Sequence, residues 1–180
     1  MIQDVERKRV AAYHEAGHVV AAHVLCMELG KSSIIASRLY GYRGFTEIRP
    51  LMADSAAYKA ERDDLLVRRK VSSDEADQLM RKKIMEEATM WMAGPVAQHA
   101  ITGERLQDIW NGDADRTLIE RIASSPDEEK TLHTEAAEKA EELLSQKWHL
   151  VEAVARGLLA HEELNSEQLR EILTGAEEHA

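Results

Sequence analysis

The sequence predicts a mainly α-helical protein with a small amount of β structure. Of its 180 residues, 44% are apolar and 31% are charged, which is typical of a folded globular protein. Only three prolines and nine glycines interrupt a chain rich in the helix-forming residues Ala, Glu, Leu, Lys and Arg. This length is enough to bury one core, as a single domain or as a domain with a helical extension.

The first helix is predicted over residues 4–28, because apolar side chains recur there at three- and four-residue steps. Gly30 follows as a natural stop. The next stretch predicts two short strands, residues 33–36 and 45–48, separated by a glycine-rich turn or loop. Residues 54–70 are polar and charged, and fit either a helix or irregular chain.

A second long helix is predicted to start at Ser72, since Glu75 three residues later completes the signature of a capping box. Apolar residues keep helical spacing from there onward. The pair Gly94-Pro95 should kink or end this helix, because proline has no N–H to donate and its ring crowds the preceding turn.

The last part of the chain is also predicted to be helical. Two helices are expected within residues 127–160, and Asn165 with Gln168 forms a capping signature for a last short helix. We therefore divide the chain into a core, residues 1–125, and a C-terminal helical part, residues 126–180, packed on the same domain.

The charge and apolar patterns exclude some classes of function. The net charge is −10, which argues against nucleic acid as a partner, because phosphate contacts need clustered Lys and Arg. The most apolar stretch, residues 19–29, is too short to span a bilayer, so no membrane partner is expected. The first ten residues do not resemble a signal peptide, and the single cysteine, Cys26, suits a reducing compartment. We expect a cytoplasmic protein.

The segment His14-Glu15-Ala16-Gly17-His18 predicts a zinc site. Two histidines four residues apart on a helix lie on one face, where both imidazoles can bind one ion. Glu15 is placed to take a proton from a metal-bound water rather than to bind the metal. Zinc lowers the pKa of such a water to around 7, so a carboxylate is a sufficient base at neutral pH.

The alternative is a chance pair of histidines without a metal. Such a pair would more often lie on a polar, exposed face of a helix. Here the segment is flanked by the apolar residues 11–12 and 19–22, and burying two histidines and a glutamate without partners is unfavourable. A bound metal would satisfy them, and the zinc hypothesis is favoured on this ground.

The segment from Tyr13 to His18 resembles the motif of the peptidase domain of the FtsH family, which are ATP-dependent zinc metalloproteases. The similarity continues in the same order along nearly the whole chain. It includes Gly44-Phe45-Thr46, residues 92–98, Thr102-Gly103-Glu104, residues 112–115 and the leucine pairs of the C-terminal helices.

The resemblance implies a zincin-like metallopeptidase core with a small β-sheet and a C-terminal helical part. It also implies Zn²⁺ as the cofactor, Glu15 as the general base, and an aspartate as third ligand beside His14 and His18. Asp115 is the preferred position for that aspartate, because apolar residues follow it at helical spacing. Asp113 is the alternative. The implied substrate is an unfolded or flexible polypeptide, which could lie along the edge of the strand at residues 45–48.

The sequence also departs from the family. It contains no G-x-x-x-x-G-K-[ST] phosphate loop and no membrane anchor, so we expect a stand-alone peptidase-like domain. Gln98 stands where the family usually has a glutamate, and Pro95 replaces a basic residue. The resemblance implies that the protein could form a homo-oligomer or bind a partner ATPase. The alternative function is a catalytically silent metal-binding or protein-interaction domain that retains the peptidase scaffold, and zinc-dependent hydrolysis of another substrate also stays open.

Overall fold

The structure is a computed structural model that describes residues 2–35, 44–49, 55–111 and 125–178. It confirms a mainly helical protein with a small β-sheet. In the described ranges, no helix combines the length and the apolar character that a membrane-spanning segment requires. The elements in chain order are α1 (Ile2–Val24), β1 (Leu29–Ser33), β2 (Phe45–Ile48), α2 (Ser55–Val67), α3 (Ser73–Thr102), α4 (Leu106–Asn111), α5 (Pro126–Gln146), α6 (Trp148–His161), β3 (Glu163–Leu164) and α7 (Ser166–Glu177).

The core is built around α1, which packs against both α3 and α6, while α5 packs mainly against α3. The buried face of α1 is rich in small side chains, from Ala11 to Ala22. At Gly17 a β-carbon would lie only 2.3 Å from the carbonyl oxygen of Ala93. The small residues therefore allow the backbones of α1 and α3 to approach closely, and the described contacts of α1 lie on the C-terminal half of α3.

The first helix begins two residues earlier and ends four residues earlier than predicted. It ends at Val24, and Cys26 then takes a left-handed conformation with φ of 56°. Met27 follows with a buried side chain, and its backbone N–H donates to the carbonyl of Ala22. This turn redirects the chain into β1, which begins at Leu29 and so includes the glycine that was expected only to stop the helix.

The sheet has the strand order β2-β1-β3, and both pairs are antiparallel. Ser32 is the register partner of Thr46 on β2 and of Leu164 on β3. The register between β1 and β2 shifts between Leu29 and Ser32, where β1 contains one extra residue, as in a β-bulge. β2 is thus an edge strand of this sheet, and it also contacts α1.

Helix α3 starts as predicted, because the side chain of Ser72 accepts a hydrogen bond from the N–H of Glu75. The pair Gly94-Pro95 was predicted to kink or end the helix, and it does not end it. The helix continues to Thr102 and ends at Gly103, whose φ is 70°. Proline in a helix interior costs about 3 kcal/mol. The residues around it, 92–97, are buried, so their packing in the core offsets that cost.

The last helix, α7, has the cap predicted from Asn165 and Gln168, and α5 has a further N-cap, at Ser125. Ser125 accepts from the N–H of Glu128 at the start of α5, and Asn165 forms a complete capping box with Gln168 at the start of α7. Because caps satisfy N–H groups that have no partner inside the helix, they fix where each helix begins. The two elements α6 and α7 are joined through the short strand β3, which ties them to the sheet.

Candidate metal centre

Helix α1 carries His14, Glu15 and His18 on the part of its surface that faces α3 and the sheet. Glu15 and His18 are buried, and His14 is half-buried. The two imidazole rings meet edge to face with centroids 4.9 Å apart, and their Nε2 atoms are 3.2 Å apart. The spacing of four residues accounts for this geometry, since one helical turn separates the two side chains.

Each imidazole has a second contact with α3 through its other ring nitrogen. Nδ1 of His18 lies 3.0 Å from the carbonyl oxygen of Met90, and Nδ1 of His14 lies 3.1 Å from Oε1 of Gln98. A carbonyl oxygen only accepts, so each Nδ1 donates a proton to it. In the neutral ring the lone pair is then on Nε2, which is the form that binds a metal.

The separation of the two Nε2 atoms fits a shared zinc ion. Tetrahedral zinc binds imidazole nitrogens at about 2.0–2.1 Å, which places two such nitrogens about 3.3–3.4 Å apart. The observed 3.2 Å is close to that value. The two imidazoles, one buried and one half-buried, are each oriented by an acceptor on Nδ1 and therefore match the donor set that zinc prefers.

A third ligand is not among the described residues. Over the ranges that the structure covers, no group of three or more His, Cys, Asp or Glu side chains is arranged to hold a metal ion. The predicted ligand Asp115 and its alternative Asp113 both lie outside the described residues. The structure thus supplies two of the proposed ligands, and the identity of the third stays a prediction.

The carboxylate of Glu15 is held by the sheet. The hydroxyl of Thr46 on β2 lies 2.8 Å from Oε2 of Glu15 and 2.9 Å from Oγ of Ser32 on β1. A hydroxyl has one proton, and the carboxylate can only accept, so Thr46 donates to Glu15 and Ser32 donates to Thr46. Because Ser32 and Thr46 are register partners, the pairing of β1 with β2 positions this chain of hydrogen bonds.

Two glycines leave room for the site. A β-carbon at Gly94 would lie 2.3 Å from Nε2 of His18, and one at Gly44 would lie 2.6 Å from Oε1 of Glu15. Real β-carbons essentially never come so close to another heavy atom, so a side chain at either position would force the imidazole or the carboxylate to move. The backbone of α3 at Gly94 therefore lies directly against the imidazoles, and the backbone at Gly44, just before β2, lies close to the carboxylate.

Several of these contacts were not predicted from the sequence. From the sequence, Gly94 is expected to break the helix and belongs to the segment that resembles the family, Gln98 is expected to alter the surroundings of the metal ligands, and no role is predicted for Met90. The three residues recur at four-residue steps, which places them on one face of α3. The spacing indicates that the three residues share a face of α3, but only the packing of α3 against α1 shows that this face contacts the histidines.

Comparisons with known proteins agree with the sequence motifs. The chain is 29% identical over 197 aligned residues to the ATP-dependent zinc metalloprotease FtsH 4 of Sphaerobacter thermophilus, covering 96% of this chain and 29% of that protein. It is 30% identical to the ATP-dependent zinc metalloprotease FtsH of Thermus thermophilus, covering 93% of this chain and 29% of the relative. The corresponding values for FtsH 1 of a Thermoanaerobacter species are 26%, 97% and 31%.

No protein-family model matches the chain. The chain spans less than a third of the length of each of these three relatives. Together the matches indicate a metalloprotease-related domain. More particularly, the chain resembles part of the FtsH proteins, which confirms the resemblance predicted from the motif at residues 13–18.

Proposed function

We propose that this chain is a zinc-dependent metallopeptidase domain that hydrolyses peptide bonds in unfolded or flexible polypeptides. The observation that carries the proposal is the pair of Nε2 atoms of His14 and His18, 3.2 Å apart in the core. Both Nδ1 atoms face acceptors on α3, which selects the metal-binding form of each ring. The names of the matched relatives support the same chemistry.

His14 and His18 would hold the ion together with Asp115, or with Asp113 as the alternative. An aspartate from outside the described residues would complete a site with three protein ligands, which leaves one position for water, as in catalytic zinc sites. We also propose that α1 and the sheet beside it form a zincin-like core. The helix that carries the histidines packs against β2, and the contact between Thr46 and Glu15 joins the two.

When bound, zinc supplies Lewis-acid activation of a water molecule and of the scissile carbonyl. Glu15 takes the proton from the attacking water and later delivers it to the leaving amine. Its carboxylate is buried, and the hydrogen bond from Thr46 to Oε2 fixes its orientation. The fixed orientation matters because a general base must lie within hydrogen-bond reach of the proton that it removes.

The substrate would bind along β2 as an added strand. β2 is the outer strand on one side of the described sheet, and its Thr46 contacts the proposed base. An extended peptide on this edge would form main-chain hydrogen bonds with β2 and pass close to Glu15. N-methylation of alternate peptide bonds of a substrate should therefore raise KM, whereas N-methylation at the intervening positions should have little effect.

Partners of the relatives suggest how folded substrates would be supplied. The matched proteins are named ATP-dependent, so we propose that an ATPase, in the same polypeptide or in a partner, delivers unfolded chains to this domain. A homo-oligomer is part of the same proposal. Without an ATPase, the domain would cut only peptides and flexible segments.

The test combines metal content with hydrolysis of an unfolded, reduced and alkylated protein. Wild type and Glu15→Gln should each contain about one equivalent of zinc, and Glu15→Gln should lose hydrolysis. Asp115→Ala should lose zinc, whereas the matched variant Asp113→Ala should retain it. A wild type that takes up no zinc would refute the proposal. A wild type that binds zinc without any hydrolysis would favour a catalytically silent metal-binding domain.

A further inference from the structure

We infer that Glu104 is a positioning residue for the metal centre. It fixes the amide orientation of Gln98, and that orientation decides which ring nitrogen of His14 carries the proton. This inference rests on the proposed zinc site. Glu104 itself is exposed and lies just after α3. Its described hydrogen bonds include none to the rings of His14 and His18, and its carbonyl oxygen lies 2.5 Å from Nδ1 of His99. Its effect on the site passes through Gln98.

The hydrogen bonds from Glu104 to His14 form a directed chain. The amide nitrogen Nε2 of Gln98 donates to Oε2 of Glu104 over 3.2 Å, and Oε1 of Gln98 lies 3.1 Å from Nδ1 of His14. A carboxylate can only accept, so the NH₂ end of Gln98 must face Glu104. Its oxygen then faces His14, and the proton of the imidazole is held on Nδ1.

The turn after α3 holds Glu104 in place. Gly103 takes the left-handed conformation, and its N–H donates to the carbonyl of His99 over 2.9 Å. The hydroxyl of Thr102 accepts from the N–H of Glu104 over 3.1 Å and donates to the carbonyl of Gln98 over 2.9 Å. The backbone of Glu104 is therefore tied to the same turn of helix that carries Gln98.

The amide of Gln98 needs a partner such as Glu104 to fix its orientation towards His14, whereas a carboxylate at position 98 would not need one. Both oxygens of a carboxylate accept, so its rotation by 180° changes nothing for His14. Rotation of the Gln98 amide would instead direct an NH₂ group at Nδ1. His14 would then have to accept there and to carry its proton on Nε2, the atom that faces His18 and the proposed metal position.

The decisive variant is Glu104→Gln, whose amide can either accept from Gln98 or donate to it, so that the orientation of Gln98 is no longer fixed. We expect zinc affinity, measured by competition with a chromogenic chelator, to fall about tenfold, the low end of the effect of second-layer partners, because Glu104 is exposed. Asp108→Asn is the matched control. It removes the same charge nearby, from a side chain that pairs with Arg105, and should change affinity less than about twofold.

A double-variant cycle tests the route of the effect. In a Gln98→Glu background, Glu104→Gln should not weaken zinc binding, because either oxygen of Glu at position 98 accepts from His14. An equal loss in both backgrounds would overturn the inference, since the effect would then not pass through the amide of Gln98.

A measurement on the metal-free protein separates this inference from the proposed function. Long-range ¹H–¹⁵N NMR of the His14 ring should show a proton on Nδ1 in wild type and in Asp108→Asn. In Glu104→Gln, a fraction of the molecules should have Nδ1 without a proton. If wild type bound no zinc, the proposed function would fail, but this result would still support the role of Glu104. An unchanged His14 spectrum together with unchanged zinc affinity would overturn that role.

Discussion

Gly94 lies so close to His18 that a β-carbon added to the glycine would be 2.3 Å from Nε2 of the imidazole. The same β-carbon would be 2.7 Å from Nε2 of His14. Since both nitrogens belong to the proposed metal position, this point on α3 is where the helix backbone borders the site. A glycine is required here for close approach rather than for an unusual φ angle.

Gly94→Ala should therefore disrupt the metal centre while the protein still folds. The added methyl group meets the ends of two side chains, not backbone, so the imidazoles are displaced and α1 stays in place. We expect zinc affinity to fall by at least about tenfold, the scale on which misplaced ligands weaken metal binding. Chelator competition measures the affinity, and far-UV circular dichroism checks the fold.

The matched control is Gly175→Ala in α7, where an added β-carbon meets no atom within 4 Å. Replacing a helical glycine by alanine stabilises a helix by up to about 1 kcal/mol, so this variant should be at least as stable as wild type. Its zinc affinity should be unchanged. Wild-type affinity in Gly94→Ala as well would show that the imidazoles do not occupy the positions described.

Removal of the Thr46 hydroxyl should impair catalysis without impairing metal binding. Thr46→Val keeps the shape of the side chain but deletes the donor to Oε2 of Glu15. A hydrogen bond to a charged group contributes about 1.5–3 kcal/mol, and about 1.4 kcal/mol corresponds to a tenfold change in rate. We expect kcat/KM for an unfolded substrate to fall about tenfold, with zinc content unchanged.

Thr46→Ser provides the comparison, because it retains a hydroxyl at the same position and should keep most of the activity. Equal activity of the Val and Ser variants would mean that the Thr46 hydrogen bond does not position the base. If the Val variant lost zinc and the Ser variant did not, the lower activity of the Val variant would be attributed to a change in the metal centre.

The close approach of α1 and α3 makes Gly17 sensitive to substitution. In Gly17→Ala the methyl group would lie 2.3 Å from the carbonyl oxygen of Ala93 and 2.8 Å from Cβ of Ala97. Because the nearest atom belongs to the backbone, the two helices must separate. Overpacking of this kind costs about 1–3 kcal/mol, which exceeds the gain in helix propensity. Urea denaturation should show a lower free energy of unfolding, and an unchanged value would contradict the packing described.

An ion pair between α2 and α3 should make stability depend on pH. Arg62 donates to both carboxylate oxygens of Asp77, and this hydrogen bonding holds the pKa of Asp77 below its ordinary value. The ion pair therefore stabilises the folded protein at neutral pH, and this stabilisation is lost as the pH falls through the lowered pKa of Asp77. The free energy of unfolding of wild type should exceed that of Arg62→Met at pH 7, and the difference should shrink near pH 2.

The difference should also shrink in high salt, because Asp77 is fully exposed and its interaction is screened. A difference between wild type and Arg62→Met that persisted at low pH would instead be assigned to packing of the arginine stem. Arg105→Met, which removes a partner of Asp108 in the loop and helix after α3, serves as a control for the loss of a surface arginine.

Local features of the structure could be predicted from the sequence because their causes are local. Two histidines four residues apart must share a helix face, whatever the rest of the chain does. The caps at Ser72 and Asn165 were identified for the same reason, since each satisfies N–H groups two or three residues away. The helical class followed from composition, and the short strand at residues 45–48 from its flanking glycine and proline signals.

Only the tertiary structure decided which groups meet across the core. The acceptors for His14 and His18 come from residues more than 70 positions away, on α3, and the donor to Glu15 comes from β2. Helix α3 also continues through Pro95, where local propensity predicted a break, because buried packing outweighs the cost. Sequence spacing determines which side chains share a face, whereas the packing of one face against another determines what those side chains can bind.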